Sequence, residues 1–407
     1  MLLRCFRIAA LLGALLAVGR PQDPQNTKDK TGIGANPPGL SFVLATKNGQ
    51  KLFHLGEMIE IEEDYLSLVP GVYSLLLNPQ KVEGGSASRL TILPSAPVID
   101  RVHETGGVSA AAILDARCVG EGIGYGVGGS VCADCDGVYK LGIEPVHFPY
   151  VLNYHFAITA PGHYTIQAKA ANVVSAGDFS KPIPVASTRL EIEIVRDANW
   201  SHQQVRLAVD RFEEAQRRYL LNRWGAGDAG ASEVAQQMET ELEIEKAVET
   251  IRFLDTEESL REAVRLFDGS PRIAKYENAF LKTILESSHR DLAVPLLANR
   301  MADDDFLASV DFIDMLTAMT IQVEEPIAFD RDDLSSRQQL NSRTLEILRG
   351  YVLALGHSLP SKRTGVREVG IATFEHYASK EYCASEPLIE KRMADQIRLQ
   401  ARSKLEN

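Results

Sequence analysis

The sequence predicts an α+β multidomain chain whose two kinds of secondary structure are kept apart: an N-terminal antiparallel β-sandwich, then an all-α array of helices. Three observations predict it. Leu190, Ile192 and Ile194 alternate with Arg189, Glu191 and Glu193, the period-two mark of a strand with one buried face. Shortly afterwards Val205, Ala208, Phe212, Ala215 and Tyr219 follow spacings of three and four, which lines one helix face with apolar side chains. Ahead of this switch the apolar segments alternate, and behind it no strand pattern of any length occurs. Asn199 or Ser201 is expected to cap the first helix, with Trp200 wedged between the two halves.

Taken in order, Met1 to Gly19 has Arg4 and Arg7, an apolar run from Ile8 to Val18, and small residues at Ala17-Val18-Gly19. This is the form of a cleaved secretory signal, and it is shorter than the roughly 20 apolar residues that span a bilayer. Residues 20–39 have almost nothing to bury and read as a flexible leader. The expected protein is exported, periplasmic or extracellular, with no membrane span after signal cleavage.

The β region is expected over residues 40–196. Leu40 to Ala45 is a strand, Lys47-Asn48-Gly49 a tight hairpin turn, and Lys51 to His54 its return. Ile59 and Ile61 face one side of a further strand, with glutamates on the other. Leu152, Tyr154, Phe156 and Ile158, then Pro161-Gly162, then Tyr164, Ile166 and Ala168, read as an antiparallel hairpin with one wet face. Pro70-Gly71-Val72-Tyr73 repeats the Pro-Gly-x-Tyr pattern of residues 161–164. The copies lie 91 residues apart, a spacing that tandem sandwiches would allow, but only Gly56 to Leu93 would be left to build the first, so a single enlarged sandwich is preferred.

Residues 119–137 are a long glycine-rich loop. Gly124, Gly126 and Gly129 satisfy G-x-G-x-x-G, but no helical period follows to present an N-terminus to a pyrophosphate. After signal removal the cysteines are Cys118, Cys132, Cys135 and Cys383. In an oxidising compartment a disulfide from Cys118 to Cys132 or Cys135 would close the loop, contributing about 3 kcal/mol. The sharper alternative is zinc on Cys118, Cys132, Cys135 and His147, for which a single C-x-x-C is thin support.

Residues 197–407 read as nine helices. Val234, Met238, Leu242, Val248 and Ile251 mark the second, and Asp255 with Glu258 a capping box for the third, which runs through Leu266. Ile273 to Leu285 is the fourth. Leu292 to Met301 is the fifth, in which Pro295 marks the first turn or a kink. Phe306 to Ile321 is the sixth. Leu345, Leu348, Val352 and Leu355 mark the seventh, Val366 to Tyr377 the eighth, and Ile389, Met393, Ile397, Ala401 and Leu405 the ninth. Short helices with short joins bury their stripes by stacking on neighbours, which favours an irregular solenoid.

Four stretches carry a resemblance. Phe53-His54-Leu55-Gly56-Glu57-Met58-Ile59-Glu60-Ile61 resembles the opening strands of extracellular immunoglobulin-like and macroglobulin-like sandwiches, and Gly162-His163-Tyr164-Thr165-Ile166 resembles the corner of immunoglobulin-like domains, which implies a tyrosine hydroxyl tying the turn back to the backbone. Glu245 to Leu266, and Phe280 to Ile321 with Leu285, Ser288, Leu292 and Ala293 at the join, resemble the helix pairs of HEAT-type repeats. The whole chain is similar to exported bacterial proteins of unassigned role that pair an immunoglobulin-like domain with HEAT-like helices. That resemblance brings no catalytic residues with it.

The net charge is −12, and from Asp197 onward 27 Lys and Arg face 37 Asp and Glu, a balance of −10. Such a surface repels phosphate backbones, so nucleic acid is not an expected partner. The acidic run from Asp303-Asp304-Asp305 to Asp333 lacks the glycine and glutamate of an EF-hand and reads as a solvated face. His155 and His163, placed on opposite strands of the hairpin, would lie roughly 14 Å apart, too far to share an ion. Trp200 and Trp224 read as packing residues. No G-x-S-x-G, S-x-x-K or G-x-x-x-x-G-K-[ST] occurs, and no catalytic, cofactor or metal residue is assigned. The expected function is a non-enzymatic binding or scaffold protein for a protein or peptide partner; the alternative is a hydrolase with a dispersed site in the interdomain cleft.

Overall fold

A computed structural model describes residues 36–76, 89–100, 138–223, 231–269, 277–324, 334–378, 381–382 and 386–403. Strands come first and a region of several helices follows, with one exception to the expected absence of strands there: Glu381–Tyr382 and Glu386–Pro387 form a two-residue antiparallel pair between the last two helices. The β body and the helical array both belong to one compact unit, Gly39–Asn407.

Twelve strands are described in the β body: β1 (Leu40–Thr46), β2 (Leu52–His54), β3 (Glu60–Ser67), β4 (Tyr73–Leu76), β5 (Arg89–Leu93), β6 (Val98–Asp100), β7 (Val138–Lys140), β8 (Val146–Val151), β9 (Phe156–Ile158), β10 (Gly162–Ser175), β11 (Asp178–Ala186) and β12 (Leu190–Val195). One sheet has the order β1-β3-β8. The other runs β2-β12-β10-β4-β7, with β5 and β11 also pairing the long β10. All of these pairings are antiparallel except β2 with β12. Alternation decides which side chains go in: Leu190, Ile192 and Ile194 are buried while Glu191 and Glu193 are exposed. They share one core with Phe42, Ile61, Tyr65, Tyr164 and Ile166, drawn from both sheets. Phe42 stacks on Tyr65 with ring centroids 4.2 Å apart, worth about 1 kcal/mol beyond the area it buries.

Two hairpins expected from local pattern are not formed. Asn48 and Gly49 do adopt the positive φ of a tight turn, 62° and 69°. The strands on either side of them go to different sheets, β1 pairing β3 and β2 pairing β12, so the turn is a corner between sheets. Around Leu152–Tyr154 the chain makes a short 3-10 turn, and β9 pairs β6 across Val98↔Ile158. β10 is paired with β12 and β5 at its start, which leaves no edge for β9. The two Pro-Gly-x-Tyr segments lead into β4 and β10, which are neighbours in one sheet, with Tyr73 opposite Ser175.

Nine helices are described: α1 (Ala198–Arg223), α2 (Ala231–Leu254), α3 (Glu257–Leu266), α4 (Glu277–Glu286), α5 (Arg290–Arg300), α6 (Val310–Glu324), α7 (Leu334–Ser358), α8 (Thr364–Ala378) and α9 (Lys391–Ser403). Each packs on helices one or two places away in sequence: α1 on α2, α2 on α4 and α3, α3 on α4 and α5, then α5 on α6, α6 on α7, α7 on α8 and α8 on α9. One apolar core runs from Ala208 to Ala401. Pro295 sits in the second turn of α5, beyond the first-turn position.

The caps differ from expectation in ways the backbone explains. Asp197, not Asn199 or Ser201, starts α1: its Oδ1 accepts from the amides of Asn199 (2.9 Å) and Trp200 (3.1 Å). At α3 the box is one residue later than predicted, because Asp255 has φ 44° whereas Thr256 has the extended backbone that a cap needs. Thr256 and Ser259 exchange the two bonds of the box, at 3.1 and 2.8 Å. The Asp255 carboxylate instead accepts from the Ser288 amide (3.0 Å) and the Ser287 hydroxyl (3.0 Å), tying the α2–α3 turn to the α4–α5 turn.

Candidate functional site

Three places bring polar groups together. The first is the seam where the β body meets α2. Gly56 has φ +83°, and a Cβ there would lie 2.6 Å from the Leu254 Cα, so only glycine permits this approach. His54 stacks on Trp200 at 4.3 Å, which puts Trp200 between the two halves as its position in the sequence suggested. Tyr154 meets Phe253 edge-on at 5.5 Å, and its hydroxyl donates to the Glu249 carboxylate. Glu249 is buried, and burial raises its carboxyl above the usual range; Glu245 adds to the rise, while Tyr154, Arg252 and Lys282 oppose it. Burial and the same carboxylate push the Tyr154 hydroxyl up as well.

The second is a groove of about 390 Å³ between α5, α6 and α7. Ala298, Met301, Ile347 and Ala354 give it an apolar floor, and Glu324, Arg343 and Glu346 stand at its rim. Arg343 spans the two carboxylates, 2.7 Å from each, and both hold its guanidinium charged. On the wall, the Thr320 and Tyr351 hydroxyls lie 2.7 Å apart. The rim charges are thus engaged with one another at the surface.

The acidic loop after α5 folds over a buried lysine. Lys362 is 1% exposed and its Nζ donates to the carbonyls of Met301 (2.8 Å), Asp303 (2.9 Å) and Phe306 (3.1 Å). Burial lowers its affinity for the proton, and the aspartates at 303–305 partly restore it. Asp303 pairs with Arg300, and Asp304 with Arg363 at 3.0 Å. These aspartate side chains are exposed, in keeping with the solvated face expected of them, and Asp304 in addition reaches Arg363 beyond the α7–α8 turn.

The chain matches no family model, no curated protein and no solved structure. Its reading therefore rests on its own geometry. Cys118, Cys132, Cys135 and Cys383, the disulfide and zinc candidates, lie outside the described residues, as do Gly124, Gly126, Gly129 and Trp224. His147, the fourth zinc candidate, places Nδ1 2.7 Å from the Asp64 carboxylate opposite it on β3. His155 stacks on Tyr150 at 4.9 Å, and His163 lies opposite Glu193, so the two are not on paired strands. Among the described residues no group of three or more His, Cys, Asp or Glu side chains is arranged to hold a metal ion. Among them, too, no helix is long and apolar enough to cross a membrane.

Sequence reasoning missed Glu249, Arg343 and Lys362. Glu249 lies on the side of α2 away from Val248 and Ile251, and nothing local reports that Tyr154 of the β body covers it. Lys362 follows Pro360 in an unremarkable turn; a lysine is buried there only because three carbonyls from residues about sixty positions away converge on it. No sequence spacing encodes that.

Proposed function

We propose that this is an exported, non-enzymatic scaffold that binds a protein or peptide partner, built from an immunoglobulin-like sandwich and HEAT-like helices. The sandwich reading is supported by the strand pairing: one sheet of three strands, a second around β10, and a parallel β2–β12 pair at its edge. Tyr164, at the start of β10, donates its hydroxyl to the Ala160 carbonyl at 2.6 Å, the tie expected of a tyrosine corner. The helical reading is supported by neighbour-on-neighbour packing, and by Asp255 linking equivalent turns of successive helix pairs.

The observation that carries the binding reading is the use made of the polar side chains. Arg343 is held by Glu324 and Glu346, Glu249 by Tyr154, and Lys362 by three carbonyls, so each fixes one element against another. A rigid β body joined to a helical array offers extended surface on a fixed frame, which suits a partner of protein or peptide class. The chain beginning at residue 20, tagged and used as bait on periplasmic and medium fractions, is expected to retain a protein in constant ratio. The reading fails if nothing is retained while the chain turns over an ester, glycoside or peptide panel and Glu249→Gln abolishes the turnover.

A further inference from the structure

Along one side of α2, Met238, Leu242, Glu245, Glu249 and Phe253 follow one another at steps of four, three, four and four, so they form one face of the helix. At its C-terminal half this face is covered: Glu249 and Phe253 are 7% and 4% exposed beneath Tyr154. At its N-terminal half it is bare, with Met238 65% and Leu242 50% exposed. The core of α2 is on the opposite side, where Ile244, Ala247, Val248 and Ile251 are buried. Met238 and Leu242, which help to mark this helix in the sequence, are therefore not part of its core.

We propose that the outer face of α2 at Met238 and Leu242 docks a basic amphipathic segment of a protein partner, lying against α2 beside the β body. This deepens the scaffold reading and rests on it. Two things fix the chemistry of the occupant. The bare stretch continues an established contact, so a segment laid along it adds to the apolar face that Tyr154 already covers. On α2 itself the charge beside these two side chains is one-sided: Glu239, Glu241 and Glu245 stand against Lys246. Glu241 is steadied by Gln237, whose amide donates to it at 3.1 Å. Methionine and leucine give an adaptable apolar surface, and the glutamates select lysine or arginine at the edges of the docked segment.

The probe is a fluorescein-labelled helical peptide with leucine on one face and lysine on the other, compared with its leucine–glutamate counterpart by anisotropy at physiological salt. The wild-type chain is expected to bind the basic peptide and not the acidic one. The double variant Met238→Ser/Leu242→Ser, which leaves every charge in place, is expected to bind about tenfold or more weakly. Leu399→Ser on α9, a residue 72% exposed, is expected to bind as wild type does. Equal affinity of wild type and double variant overturns the proposal, as does equal binding of the acidic peptide. A fall in the double variant's melting temperature of many degrees also overturns it, because the two side chains would then be packed inside. If the basic peptide fails to bind at all, this docking face is refuted while the scaffold reading still stands or falls on its own capture experiment.

Discussion

Arg252 and Glu286 make a two-pronged ion pair inside the helical array: Nε donates to Oε2 at 2.9 Å, and Nη2 to Oε1 at 2.8 Å and Oε2 at 2.7 Å. The pair joins the last turn of α2 to the end of α4, and its side chains are only 8% and 14% exposed. Removing one member leaves a charge with little water to receive it. Glu286→Ala is expected to lower unfolding free energy by about 3 kcal/mol in urea titration, and Arg252→Met/Glu286→Leu to recover most of the loss. If the double variant is no better than the single, charge pairing at this site contributes more than apolar packing can replace.

Gly56 tests the seam. Alanine there meets both the positive φ and the Leu254 backbone, so Gly56→Ala is expected to cost about 2 kcal/mol or more. Gly49→Ala provides the comparison, since its φ is +69° but no atom lies within 4 Å of the added Cβ. Backbone strain alone should cost about 1 kcal/mol. Equal losses in thermal unfolding would mean that the β body and α2 are not in close contact at this point.

The cap of α3 separates two assignments one residue apart. Thr256→Ala removes the hydroxyl that accepts from Ser259 and is expected to cost about 1 kcal/mol. Glu258→Ala removes only an exposed contact with His202 and is expected to be nearly neutral. The opposite ranking by urea titration would return the capping box to Asp255 and Glu258.

Glu249 gives a pH dependence of known sign. Its carboxyl is raised in the folded chain, so the folded state favours the protonated form. The stability it contributes is complete below about pH 4.5 and is lost as pH rises through the folded value. Glu249→Gln carries no charge to bury, so its stability relative to wild type should grow between about pH 4.5 and neutrality. Tyr154→Phe, which removes the donor that steadies the anion, should widen that gap when paired with the same comparison. A difference between variant and wild type that stays flat across this range would show that Glu249 is not desolvated.

What the sequence made legible was local. The strand from Leu190 to Val195 and the nine helices follow from side-chain period, because a single buried face imposes it. Partner choice is not local, so Phe156–Ile158 alternates correctly yet pairs with Val98–Asp100 instead of the strand that follows it. Helix α2 carries apolar side chains on two sides, Met238 and Leu242 on one and Ile244, Val248 and Ile251 on the other, and period alone cannot say which side finds a core. The seam was anticipated only at Trp200. Glu249 and Lys362 acquire their roles from carboxylates, hydroxyls and carbonyls that reach them across the fold, which is why no motif announces either.

The burial of Lys362 makes it a gauge of motion. An amine wrapped by three carbonyls cannot meet an acylating reagent unless the turn between α7 and α8 lifts away from the loop after α5. Its labelling rate, read by peptide mass against that of exposed Lys391, would therefore report how often this end of the array comes apart while the rest of the chain stays folded.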